Sequence, residues 1–289
     1  MSADRDPDDV QEPALLVPSG PVVAGLRLAA LREAGNLTLR ETAGAAKITL
    51  RQLAAVEAGR APAPPAQRLS RLLRALGAAQ DLPVLDTLIR RTWTESTVDD
   101  QTGWAGRLES VLSQATAWRT AGGGIMPAGV RTAAYHHALT AGPDPDTGEA
   151  GDEAVFTRLA TTAPPVRVQV YLDEQVLDRA CGGPAAAAAQ FDHLAELTRH
   201  GWVTVALVPA VASPGGPALI HLTTAAGPLV VEADPTGVRY HTGTTAHRAI
   251  DTVDSVHHRA GRTNDAPAYL RVAAQWMRAR TTTPAGATP

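Results

Sequence analysis

Apolar residues recur at helical spacing through the first third of the chain. Val23, Leu26, Ala30 and Leu31 form one stripe and predict a helix from about Val22 to Ala34, stopped by Gly35 and Asn36. Thr38 opens a second helix. Glu41 follows it at the spacing of a reciprocal cap, which satisfies amide donors left free at a helix start. Leu37, Thr42, Ala43 and Ala46 face inward, and Lys47 and Ile48 make a turn. Thr49 and Gln52 repeat the cap eleven residues further on and open a third helix, which ends at Gly59. Its core contacts are Ile48, Leu53 and Val56. Beyond the proline-rich APAPP at 61–65, Leu69, Leu72, Leu73 and Leu76 predict a fourth helix. Leu85, Leu88 and Ile89 predict a fifth, between Val84 and Trp93. Two capped helices joined by a tight turn form a helix-turn-helix pattern.

The pattern then changes. Residues 94–103 are polar and predict a linker. Trp104, Leu108, Val111 and Leu112 suggest a helix. Residues 118–135 combine a glycine-rich bend, an exposed Ile125-Met126-Pro127 and a helix starting near Gly129. Residues 143–153 read as a loop. Val166, Val168 and Val170 alternate as in a strand, and 202–210, 218–224, 227–234 and 238–242 predict further strands. The middle pair forms a hairpin turning near Ala225-Ala226-Gly227. The alanine-rich stretch 185–199 and the segments 245–258 and 266–277 predict helices. The fold class is α+β. An all-α five-helix helix-turn-helix domain over 21–93 precedes an α+β domain over 104–279 with a small, mostly antiparallel sheet. Residues 1–20 are expected as a disordered arm and 280–289 as a disordered tail.

Charge sharpens the division. Residues 21–78 carry nine basic side chains against three acidic ones, a balance of +6 that leaves −9 for the rest of a chain whose net charge is −3. A basic unit on an acidic body suits a polyanion such as double-stranded DNA, although an ordinary solvated surface gives the same count. The single cysteine, Cys181, excludes an internal disulfide and a cysteine metal cluster, which favours a reducing, cytoplasmic setting. The N-terminal stretch is acidic and lacks the features of a secretory signal, and no apolar run approaches the roughly 18–20 residues of a membrane span.

Leu31-Arg32, Leu37-Thr38, Ala43, Ile48-Thr49, Val56-Glu57 and Gly59-Arg60 resemble the phage-repressor-type, or xenobiotic-response-element, helix-turn-helix family over residues 22–77. The resemblance implies that Arg32 and Glu57 pair between helices. Arg119-Thr120, Pro127, Gly129, Thr132, Tyr135, Leu172-Asp173-Glu174, Gly182-Gly183-Pro184, Leu194, Glu196-Leu197, Val203-Thr204-Val205 and Pro209 resemble the C-terminal domain of actinobacterial WhiJ-like, or antitoxin-like, regulators over 104–278. The chain departs from these patterns in places. Leu39 stands where a phosphate-binding Gln is usual, and Lys47 where a turn glycine is usual. Ala121-Gly122-Gly123-Gly124 replaces a polar run, and Arg131, Ala133 and Ala134 replace Gln, Glu and Asp.

A helix-turn-helix sets the start of its second helix in the major groove. The DNA-binding candidates are therefore Arg40, Lys47, Thr49, Leu50, Arg51, Gln52, Ala55 and Arg60. Arg51 can grip guanine through two hydrogen bonds, whereas Leu50 and Ala55 offer only apolar contact. Candidate ligand-binding residues are Trp118, Arg119, Met126, Arg131, Asp173 and Glu174, with helix capping the competing role for Asp173 and Glu174. Trp118, Trp202 and Trp276 read as core side chains rather than a base-stacking platform. His136-His137 and His257-His258 lack chelating spacing, and the glycines at 122–124 lack a phosphate-loop context, so no metal, cofactor or catalytic residue is assigned.

The expected function is a cytoplasmic, dimeric DNA-binding transcriptional regulator, not membrane-bound. Its C-terminal domain would sense a small-molecule effector or a small partner protein. The alternative is a protein that has kept the helix-turn-helix but no longer reads DNA, acting as a small-molecule-binding protein or enzyme in specialised metabolism.

Overall fold

The computed structural model describes residues 18–61, 64–91, 94–140, 166–213, 215–234, 236–260 and 265–282. Helices α1 (Ser19–Ala34), α2 (Leu39–Ala46), α3 (Leu50–Glu57), α4 (Ala66–Ala75) and α5 (Leu82–Arg91) form the N-terminal unit. Both capping boxes are present. Thr38 N–H donates to Glu41 Oε2 at 2.8 Å while Glu41 N–H donates to Thr38 Oγ1 at 3.2 Å. Thr49 N–H donates to Gln52 Oε1 at 3.0 Å while Gln52 N–H donates to Thr49 Oγ1 at 3.1 Å. Lys47 ends α2 with φ +56 and ψ +45, the left-handed conformation that a glycine adopts more cheaply.

Helix α1 begins earlier than its apolar stripe predicts. Ser19 and Gly20, placed by sequence in a disordered arm, are buried in its first turn. Residues 1–17 of that arm lie outside the described residues. Apart from Arg27, every residue of α1 from Ser19 to Ala30 is buried, because the helix is covered on several sides. It packs on α3 and α5, and also on α6 (Trp104–Ser113), β1 (Ser96–Asp99) and β7 (Gly237–His241). Gly25 permits the approach of α3. A Cβ there would lie 2.7 Å from the Glu57 carbonyl oxygen and closer still to that of Val56.

Among the described residues, seven strands follow the order β1-β7-β6-β5-β2-β3-β4. They include β2 (Ala115–Ala121), β3 (Arg167–Asp173), β4 (Val203–Val208), β5 (Ala218–Thr224) and β6 (Gly227–Asp234). From β1 through β2 the neighbours run antiparallel, and β2-β3 and β3-β4 are parallel. The β5-β6 hairpin turns where predicted. Two strands were not legible as such. β1 lies inside the polar segment 94–103, read as a linker, and β2 lies inside the segment read as a helix end and glycine bend.

Strand alternation gives the sheet two unlike faces. Trp118, Val168, Val170, Ile220, Leu222, Leu229, Val231 and Tyr240 point into one core with α1, α6 and α8 (Gly183–Arg199). Helices α7 (Ala133–Thr140) and α10 (Ala266–Thr282) pack against α8 on the same side. Helix α10 continues into the first residues of the expected tail, to Thr282, and 283–289 lie outside the described residues, as does the loop at 143–153. The opposite face carries Arg119, Gln169, Tyr171 and His221, with α9 (Gly243–Arg259) across β2, β5 and β6.

The start of segment 94–103 is fastened to two helices. Glu95 caps α9, accepting from Thr244 N–H at 3.0 Å and Thr245 N–H at 2.9 Å, and these donors lower its carboxyl pKa. Ser19 N–H donates to the Thr94 carbonyl at 3.0 Å, and the Ser19 and Thr97 hydroxyls lie 2.6 Å apart.

Candidate nucleic-acid interface and effector cleft

The turn and the start of α3 leave Arg40, Lys47, Thr49, Arg51, Gln52 and Arg60 exposed, with Leu50 47% exposed among them and Ala55 half-buried. The caps decide what these groups can offer. Gln52 spends its amide oxygen on Thr49 N–H, so its Nε2 group is what remains to donate to a base or phosphate. At the start of α2, where a family Gln meets phosphate, Leu39 is half-buried against the core and the Glu41 carboxylate sits over the helix end. Hydrogen bonds from the Thr38 side chain and main chain lower the Glu41 pKa, so this helix start presents a negative charge. Arg51 is therefore the exposed side chain at the start of α3 with the most hydrogen-bonding capacity for a base edge, and Arg40, Lys47 and Arg60 are exposed cations that could face phosphates.

Arg32 and Glu57 form the expected pair. Arg32 Nε donates to Glu57 Oε1 and Nη2 to Oε2, each at 2.9 Å, and Nη1 reaches the Leu37 carbonyl at 3.3 Å. The pair ties α1 to α3 and to the loop before α2, which is a structural role.

The six residues expected to bind a ligand do not share one cleft. The Trp118 ring is buried, facing Gly129 and Leu112 on the core side. Met126 is buried, with its N–H donating to Tyr135 Oη at 3.1 Å and its carbonyl accepting from buried Arg131 Nε at 2.7 Å. Gln190 braces the same loop, donating to the Val130 carbonyl at 2.8 Å and accepting from Thr132 N–H at 2.7 Å. The rewritten patch is thus wired as structure. Asp173 is buried and caps the short turn Glu174–Asp178 by accepting from Gln175 N–H at 3.0 Å, and Glu174 is exposed. Trp202 and Trp276, read as core, are both substantially exposed.

Arg119 points the other way from Trp118, as strand alternation requires. It lines a cleft of about 200 Å³ with Ala117, Arg167, Gln169, His221 and Thr223, and Trp118, itself buried, borders the same cleft. Arg119 is ion-paired to Asp254 of α9, and its Nη2 donates to His221 Nδ1 at 2.9 Å. That bond fixes the neutral His221 tautomer with its proton on Nε2. Burial first, and then the neighbouring Arg119 charge, lowers the His221 pKa. Beside the cleft, the Tyr171 hydroxyl lies 2.7 Å from His257 Nδ1 and donates to Gln169 Oε1 at 3.3 Å. Burial raises the Tyr171 pKa. This arrangement can donate hydrogen bonds to a small anion. It holds no serine or cysteine beside a base, and no group of three or more metal-ligating side chains occurs among the described residues. Sequence reasoning missed Arg167, Gln169, His221 and Thr223. The signal was the polar half of the alternation whose valines predicted β3.

No described helix is long and apolar enough to cross a membrane. A family model described as Helix-turn-helix domain matches residues 24–83. Residues 106–271 match a second, described as Domain of unknown function (DUF5753). No curated protein and no solved structure matches the chain. Since the second match spans more than half of the 289 residues and follows the helix-turn-helix directly, the chain belongs to the DUF5753 family, in a form that carries an N-terminal helix-turn-helix domain.

Proposed function

We propose that the chain is a cytoplasmic, dimeric transcriptional regulator of the WhiJ-like kind that binds double-stranded DNA through α3. The observation that carries this reading is Arg51, exposed at the start of α3 among Arg40, Lys47 and Arg60 on a strongly basic unit. One such reader discriminates few bases, so two copies on paired half-sites supply the rest. The C-terminal domain is the sensor, and the effector is a small anion held at the cleft by Arg119, Arg167 and the His221 Nε2–H. Segment 94–103 gives a route between the two, since it caps α9 and bonds α1.

Binding to the protein's own promoter DNA, followed by fluorescence anisotropy across salt concentrations, tests the DNA role. Three phosphate-facing cations per protomer, Arg40, Lys47 and Arg60, predict a log–log slope of about −2.7 for each bound protomer. No binding at low salt overturns it. Thermal shifts with citrate, malonate and phosphate, in the parent and in Arg167→Ala, test the cleft; identical responses in both remove it. A second reading, a DNA-silent scaffold with a small-molecule role, is favoured by the Glu41 carboxylate over the α2 start and by Leu39, Leu50 and Ala55.

A further inference from the structure

Helix α10 is apolar on two faces. Ala266, Leu270, Ala274 and Met277 face the core, packed chiefly against α8. On the other face Tyr269 is 53% exposed, Val272 62% and Trp276 48%. With Asp265 before them and Ala279 after, these positions recur at steps of four, three, four and three residues. That is the spacing of a seam between two packed helices. The alanine at 279 and another exposed one at 268 leave room for close approach. Charge is distributed unevenly along the stripe: Asp265 is exposed at its start, and Arg280 lies over the Trp276 ring, 4.8 Å from its centroid, at its end.

We propose that this stripe pairs with the same stripe of a second copy, antiparallel, as the homodimer interface. The inference rests on the dimeric reading above and gives it a surface. Turning one α10 onto another about a point between Val272 and Ala273 sets Tyr269 against the partner's Trp276, and brings Arg280 at each end to the partner's Asp265. The stripe is therefore complementary to itself in both shape and charge, as a two-fold interface requires. A parallel pairing would place Arg280 against Arg280 and Asp265 against Asp265. The location agrees with the function. Helix α10 packs beside β4, at one margin of the sheet, and α1 packs on β1 at the opposite margin. Pairing through α10 thus leaves α3 open in both copies. One helix pair makes an interface at the low end of the specific range, below about 1,200 Å², so the free dimer dissociates in the micromolar range and tightens on paired half-sites.

Sedimentation equilibrium of the full chain without DNA, from low- to high-micromolar concentration, tests this independently of any DNA role. The parent protein is expected in monomer–dimer exchange, and Trp276→Glu should weaken association at least about tenfold. Asp265→Arg and Arg280→Asp should each weaken it several-fold, and the double variant should recover most of the loss. Thermal melts run in parallel separate folding from association, because Asp265→Arg also removes a favourable charge at the start of α10. If Trp276→Glu lowers the melt, the charge exchange alone decides. A monomer at every concentration, a dimer untouched by Trp276→Glu in a folded variant, or a double variant no better than the singles overturns the proposal.

Discussion

Asp99 and Arg107 form a two-pronged ion pair, Nε to Oδ2 and Nη2 to Oδ1, each at 2.7 Å, with the Asp99 side chain fully buried. Arg107 also donates to the Thr102 and Gln101 carbonyls at 3.0 and 2.9 Å, so one guanidinium closes the turn between β1 and α6. Arg107→Leu would leave a buried carboxylate without its partner and should cost about 3–5 kcal/mol in chemical denaturation. Asp99→Leu combined with Arg107→Leu should cost less than the single change. A single-variant loss under about 1 kcal/mol would mean that water reaches the pair.

Gly25 is held by a neighbour rather than by its own backbone angle. A methyl group at this position meets the carbonyls of Val56 and Glu57, so Gly25→Ala must push α1 away from α3. The expected cost is about 1–3 kcal/mol, with Arg32 and Glu57 drawn out of register. Gly44→Ala, where nothing lies within 4 Å of the new methyl, is the control and should be neutral or stabilising. Equal melting temperatures for the two variants would refute the close approach.

Much of this was legible because local chemistry was strong. The caps at Thr38 and Thr49 placed α2 and α3 closely, and the β5–β6 hairpin was placed to the residue. The failures share a cause. β1 has the composition of a linker, and it becomes a strand only because β7, some 140 residues away in sequence, offers an edge. Nothing local to Ser96–Asp99 encodes that partner. The same holds for the cleft, since Arg119, Arg167 and His221 meet across three strands whose order the sequence does not state. Trp118 and Arg119 were grouped as neighbours, but strand alternation sends them to opposite faces.

On the proposed reading Lys47 has two roles that substitution can separate. Its left-handed backbone costs roughly 1 kcal/mol that glycine avoids. Lys47→Gly should therefore raise stability by that order while reducing the salt slope of DNA binding by about 0.9 per protomer, the share of one phosphate contact. An unchanged slope would place Lys47 away from the DNA.

Arg51 should separate specific from general binding. Arg51→Ala should remove about 1–3 kcal/mol of discrimination at one base pair per half-site. Arg60→Ala should weaken all sequences alike. Competition between operator and scrambled duplexes measures both, and equal discrimination in parent and Arg51→Ala would exclude Arg51 as the base reader.

The pH dependence of stability should carry the signature of buried neutral histidine. Burial, reinforced by Arg119, lowers the His221 pKa below its ordinary 6.5. Burial also lowers that of His241, where the opposing pull of Glu232 is the smaller effect. The unfolded chain then binds more protons than the folded one between those lowered values and 6.5. The stabilisation is fully present above 6.5 and is lost as the pH falls through that window. His221→Gln keeps an acceptor for Arg119 but takes up no proton, so its melting temperature should fall less than the parent's between about pH 7.5 and 5.5. Parallel profiles for the two proteins would mean that His221 protonates as freely folded as unfolded, and the cleft would then be open to water rather than a partly enclosed anion site.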